Sequence, residues 1–168
     1  MTLALTENWG NPSALYGFGF DASKLLREAR HKVAAAMGAE PDRVFFTSGG
    51  TEADNWAIKG FARNHAAKGK HIITSASGHH AVLHTLNKLE KEGFEITLLD
   101  VSNGHNITAQ QVKDAIREDT CLVTTMYANN EIGSVLPIAE IGAVCKEAGV
   151  LFHTDAVQAV GHSAIDVR

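Results

Sequence analysis

Between residues 43 and 155, short apolar runs alternate with longer amphipathic stretches, and this alternation restricts the possible folds more than any other feature of the chain. "RVFFTS" (43–48), "HIITSA" (71–76), "FEITLLD" (94–100), "CLVTTMY" (121–127) and "VLFHTD" (150–155) have the length and the β-branched or aromatic content of buried strands. "TEADNWAIKGFARNHAAKG" (51–69), "HAVLHTLNKLEKEG" (80–93), "NITAQQVKDAIRED" (106–119) and "IAEIGAVCKEAG" (138–149) lie between them with helical spacing, and the first two close on glycine. Thr108 and Gln111 have the spacing of a capping box. A further amphipathic helix is expected at 21–38. Parallel neighbours need a crossover, and here every crossover is a helix, so the expected fold is α/β, a mostly parallel sheet with helices on both faces. The loops that follow the strands then share one edge, where such sheets bind ligands. There is no internal repeat or low-complexity tract.

The 168 residues suffice for one domain with a real core. A net charge of -4 provides no electrostatic footprint for nucleic acid or an anionic membrane. It leaves a phosphate-bearing small molecule open, because backbone amides bind phosphate without a basic surface. No apolar run approaches the roughly 20 residues of a membrane span, and "MTLALTENWG" lacks the pattern of a secretory signal, so the expected location is cytoplasmic. Cys121 and Cys145 lie in apolar segments and read as buried thiols.

Four of the loops carry polar residues that a turn does not require. "TSGGTEADN" (47–55) puts two glycines between a strand and a helix, beside the hydroxyls of Ser48 and Thr51. It reads either as a phosphate cradle or as a tight turn with Thr51 as N-cap. "SASGHHAVLH" (75–84) carries His79, His80 and His84. The last two have one helix face in common without a third metal ligand, whereas His79, just ahead of the helix, can lie over a planar ligand or move a proton. "YANNEIGSVLP" (127–137) forms an amide-rich rim in which at least one asparagine has a structural explanation. In "HTDAVQ" (153–158), Asp155 is either the cap of a following helix or a carboxylate presented to a ligand.

Taken together, an anion cradle, a stacking imidazole, an amide donor and a carboxylate are the parts needed to hold pyridoxal 5'-phosphate. The carboxylate would keep the pyridine nitrogen protonated and so maintain the ring as an electron sink.

"GNPSALYGFG", "FFTSGGTEADNWAIKG", "GHHAVLHTL", "YANNEIGSVLPI" and "FHTDAVQAVGHSAIDV" resemble, in order and spacing, the cysteine desulfurases of the class V aminotransferase-like, fold-type I pyridoxal phosphate enzymes. "HHAVLHTL" and "NNEIG" resemble the iron-sulfur-cluster and nitrogen-fixation branch. The resemblance implies removal of sulfur from L-cysteine to give alanine and an enzyme persulfide, a homodimer, and a protein that accepts the sulfur. It implies that Gly50 and Thr51 bind the phosphate and that His79 stacks on the ring as the catalytic histidine. Asn130 and Gln158 would bond near the ring hydroxyl, and Asp155 would pair with the pyridinium nitrogen; no metal is implied.

The chain also departs from the family pattern. Gly78 stands where a glutamate usually precedes the histidine, and Leu136 where a glutamine usually precedes the proline. A "DNAATT"-like segment ahead of "GNPS", the Schiff-base lysine of a "SxHK" motif, the persulfide cysteine and a small C-terminal domain do not occur in these residues. Residues 1–168 are therefore expected to be an incomplete cofactor-binding large domain, inactive alone. The alternative is a stand-alone domain that binds a phosphate-bearing ligand or a partner without catalysis.

Overall fold

The computed structural model describes residues 2–101 and 106–167, which fall into two compact units. One contains the residues up to Phe46 with those from Ser163 onward, and the other is Thr47–His162.

In the first unit a short helix, α1 (Thr2–Thr6), precedes α2 (Gly17–Met37), which begins four residues earlier than the sequence pattern suggests. Gly38 ends α2 at φ 68°, a left-handed conformation that glycine adopts without a Cβ penalty. A 3-10 turn at Pro41–Arg43 follows. The expected strand at 43–48 does not form: Val44 has extended dihedrals, but the segment joins no ladder. The Val44 carbonyl instead accepts from Arg30 Nε at 3.0 Å, and the Arg30 guanidinium lies 5.5 Å from the Phe46 ring centroid. An apolar run becomes a strand only where a neighbour supplies ladder partners.

The second unit contains the sheet. α3 (Gly50–His65), β1 (His71–Ser75), α4 (His80–Lys91), β2 (Glu95–Leu99), α5 (Ala109–Ala115), β3 (Thr120–Met126), α6 (Ile138–Glu147) and β4 (Leu151–Asp155) follow in order. The strands are parallel, in the order β2-β1-β3-β4. Ile72 pairs with Leu122 and Ile73 with Val123, and the two-residue period sends each pair to an opposite face. Ile72 and Leu122 pack with Ile58 and Ala62 of α3 and with Val82, Leu86 and Leu89 of α4. Ile73 and Val123 pack with Val112 of α5 and with Ile141 and Cys145 of α6. Each large apolar side chain buried in these clusters contributes about 1.5–3 kcal/mol.

Thr108 caps α5 with the expected box: its hydroxyl accepts from the Gln111 amide at 3.2 Å, while Gln111 Oε1 accepts from the Thr108 amide at 2.8 Å. The helix is shorter than the 106–119 pattern suggests because Ile116 turns extended and the Arg117 amide donates to Thr120 Oγ1 at 2.8 Å. Among the described residues no helix is long and apolar enough to cross a membrane.

Candidate functional site

α3 opens on Gly50, with Gly49 as N-cap, so Thr51 belongs to the first turn and is not the cap. Glu52 fastens this entry: its Oε2 accepts from the Ser48 amide at 2.7 Å and the Ser48 hydroxyl at 2.6 Å, which holds its carboxyl below the usual range. The amides of Gly50 and Thr51 have no helical carbonyl four residues behind them and lie at the positive end of the helix dipole. A Cβ on Gly50 would stand 2.9 Å from Val157 Cγ2, so the loop after β4 approaches the bare backbone there. The glycines thus stand at a helix start, as expected, although no strand precedes the loop.

His79 is the N-cap of α4, its Nδ1 accepting from the Ala81 amide at 3.1 Å. That bond puts the proton of a neutral ring on Nε2 and fixes the ring's orientation. His80 and His84 are exposed, with ring centroids 5.5 Å apart, and do not line the pocket described below.

Of the two asparagines after β3, Asn129 is the structural one. Its side-chain amide donates to the Ser77 carbonyl at 2.8 Å, and its Oδ1 accepts from the amides of Glu131 and Ile132 at 2.8 and 3.0 Å. Asn130 is thereby left to face the pocket. Asp155 ends β4 buried, its Oδ1 accepting from the Val157 amide at 3.1 Å, and the Tyr127 amide donates to its carbonyl at 2.8 Å. A turn follows Asp155, not a helix, so it caps nothing.

Gly50, Thr51, His79, Asn130, Asp155 and Gln158 all line one cavity of about 200 Å³, together with Asp54, Met126 and Val157. Four loops from 47 to 158 therefore supply one pocket at the carboxyl edge of the sheet. Cys121 and Cys145 are buried elsewhere, in the core clusters; burial pushes the Cys121 thiol up and the Cys145 thiol up to about 11.

Two residues, one lining the cavity and one next to it, are not evident from sequence patterns. Asp54 is buried against the cavity, and burial, then the neighbouring Asp155 charge, push its carboxyl up to about 6 against an opposing pull from His79. His153 in β4 places Nε2 3.6 Å from Asp54 Oδ1 and Nδ1 2.8 Å from Thr124 Oγ1; burial pushes this imidazole down, and Asp155 opposes that. The available signal was spacing: Asp54, Ile58 and Ala62 form the buried stripe of α3, with an acid at a core position.

A parallel sheet with helices on both faces, and a polar pocket built from the loops at its carboxyl edge, define an α/β protein whose pocket lies where such sheets bind ligands. The chain belongs to the class-V aminotransferase family, which it matches over residues 1–168. It is 54% identical over 163 residues to cysteine desulfurase IscS of Clostridium botulinum (strain Hall), an alignment that covers 97% of this chain and 41% of that protein. Among solved structures, a NifS-like protein superposes with a TM-score of 0.94 at 33% identity, over 99% of this chain and 46% of the other. SspA in complex with cysteine gives a TM-score of 0.94 at 40% identity, over 98% of this chain and 48% of the other. The chain thus spans less than half the length of the relatives it matches.

Proposed function

We propose that residues 1–168 form the cofactor-binding part of the large domain of a pyridoxal-phosphate-dependent cysteine desulfurase, which takes sulfur from L-cysteine to leave alanine and an enzyme persulfide. The observation that carries this reading is the convergence of Gly50, Thr51, His79, Asn130, Asp155 and Gln158 on one pocket. The donor set fits the group: helix-start amides for a phosphate, a capped imidazole for an aromatic face, two amide side chains for a ring oxygen and a buried carboxylate for a ring nitrogen. Pyridoxal phosphate, when bound, supplies the electron sink for breaking bonds at the amino acid.

The residues of this chain bind and orient. Gly50 and Thr51 anchor through backbone amides, and Asn130 and Gln158 donate from opposite loops. Asp155 would pair with the ring nitrogen through a charge-assisted bond and so favour its protonated form. His79 would lie against the ring, and the bond from the Ala81 amide to its Nδ1 leaves the proton of the neutral imidazole on Nε2, as a donor towards a substrate group. The lysine that anchors the cofactor and the cysteine that takes the sulfur are assigned to polypeptide outside these residues, in keeping with relatives more than twice as long. The same reading assigns the protein to the cytoplasm as a homodimer that passes sulfur to an acceptor protein in iron-sulfur cluster assembly.

Titration of the chain with pyridoxal phosphate, followed by absorbance, tests this function. Saturable binding is expected, weakened about tenfold or more by Asp155→Ala through loss of the charge-assisted bond. Without the lysine, L-cysteine should give no alanine above the free-cofactor control. Absence of saturable binding, or binding indifferent to Asp155→Ala, would sink the proposal.

A further inference from the structure

Asp54 and Asp155 are both buried and face the same small cavity, one from α3 and the other from the end of β4. Two carboxylates that share a desolvated space do not ionise independently, because each charge raises the cost of the other. His153 is the further ionisable group at this pair, set between sheet and helix. It lies on the same face of β4 as Asp155, two residues away, with Nε2 3.6 Å from Asp54 Oδ1. Its other nitrogen is 2.8 Å from the Thr124 hydroxyl. With that hydroxyl donating to Nδ1, the proton of the neutral ring lies on Nε2 and faces Asp54. The ionisable groups acting on Asp54 are thus Asp155 and His153 from β4 and His79 from the start of α4.

We propose that Asp54 and His153 are positioning residues of the pocket, a coupled acid–base pair beside Asp155 that sets the negative charge presented to a ring nitrogen. This rests on the function proposed above for its ligand, but not for the coupling itself. An aspartate on the buried stripe of α3 has no packing value there, since Ile58 and Ala62 show what the stripe otherwise carries. Beside Asp155 it adds negative potential at the point where a protonated nitrogen would lie, and His153 Nε2 stands 3.6 Å from its carboxylate. The raised carboxyl of Asp54, at about 6, agrees with this arrangement.

Two measurements test the proposal. In the ligand-free chain, the Asp54 carboxyl and the His153 ring are titrated by NMR in wild type, Asp54→Asn and Asp155→Asn. Asp155→Asn should lower the Asp54 midpoint, and Asp54→Asn should lower that of His153; unmoved midpoints overturn the coupling. With pyridoxal phosphate labelled with 15N in its ring, Asp54→Asn should move deprotonation of the bound ring nitrogen to lower pH by about one unit. His153→Gln serves as the second variant if Asp54→Asn does not fold, and should shift the same midpoint. A variant that only loosens binding and leaves the midpoint in place makes Asp54 merely structural and overturns the proposal. If the wild-type chain binds no pyridoxal phosphate, the proposed function fails, and the ligand-free titration alone decides whether Asp54, His153 and Asp155 are coupled.

Discussion

Asn129 donates its side-chain amide to the carbonyl of Ser77 at 2.8 Å, so the loop after β3 is tied directly to the loop after β1. His79 and Asn130, one on each loop, depend on that tie for their common place at the pocket. Asn129→Ala removes this bond and the two that Oδ1 accepts from Glu131 and Ile132. It should cost about 2 kcal/mol in urea denaturation and weaken binding of pyridoxal phosphate. Asn129→Asp keeps the acceptor and loses the donor, so an intermediate loss is expected. Wild-type stability in both variants would show that the tie contributes nothing.

His71 should make stability depend on pH. It is fully buried in β1, with Nδ1 2.8 Å from Thr120 Oγ1 and Nε2 2.8 Å from Thr97 Oγ1. Burial, assisted by Arg117, pushes the imidazole below its ordinary value near 6.5, against the opposing pull of Asp119 and Glu95. The unfolded chain takes up the proton first, so this contribution is complete above 6.5 and is lost as pH falls below it. His153 is depressed as well and acts in the same direction, whereas Asp54, raised to about 6, gains stability as pH falls towards 3.8. His71→Gln should therefore flatten the decline in melting temperature from about pH 7 to about pH 5. Parallel curves for the two proteins would remove His71 as a cause.

Gly69 and Gly78 should respond in opposite ways to alanine. A Cβ at Gly69 would stand 2.0 Å from the carbonyl oxygen of Asp119, which already accepts from the His71 amide at 3.1 Å. Gly69→Ala must displace that backbone and should cost about 2 kcal/mol or more. At Gly78 the nearest atoms, Leu83 Cδ2 and the Ser75 carbonyl, are 3.6 Å away. Gly78→Ala should be neutral or stabilise by up to about 1 kcal/mol, through the loss of unfolded-state freedom. Chemical denaturation of the pair measures both, and an equal loss would refute the contrast.

The capping box at the start of α5 provides a purely local test. Thr108→Ala removes the hydroxyl that accepts from the Gln111 amide and should cost about 1 kcal/mol. Ligand binding should be unchanged, because neither residue lines the pocket. A loss of binding along with stability would mean that α5 supports the site more directly than its position suggests.

The central strands β1 and β3 are legible because a strand buried on both faces reads as a short apolar run, and the partly buried edge strands β2 and β4 keep enough apolar and β-branched residues to read alike; the expected ranges at 71–76, 94–100, 121–127 and 150–155 each contain or nearly contain the observed one. "RVFFTS" has the same composition and forms no strand, since pairing depends on a neighbour and composition does not report one. The early start of α2 is hidden by "GFGF", whose glycines argue against helix. The six pocket residues are recognisable as polar residues in loops that follow apolar runs, helped by the resemblance to a known family. Asp54 and His153 are not, because an acid in a helix and a histidine in a strand take their meaning from burial, which only tertiary packing creates.

The order of the strands also fixes when a pocket can exist. Gly50 leaves the ribosome roughly a hundred residues before Asp155, and the long-range pairing of β4 with β3 brings the carboxylate to the cradle. A nascent chain ending anywhere before β4 would carry the cradle and the imidazole without Asp155 and Gln158. A ligand that needs all of these can therefore neither nucleate the early strands nor rescue a stalled intermediate. It acts afterwards, by mass action, as a selective stabiliser of chains whose sheet is complete.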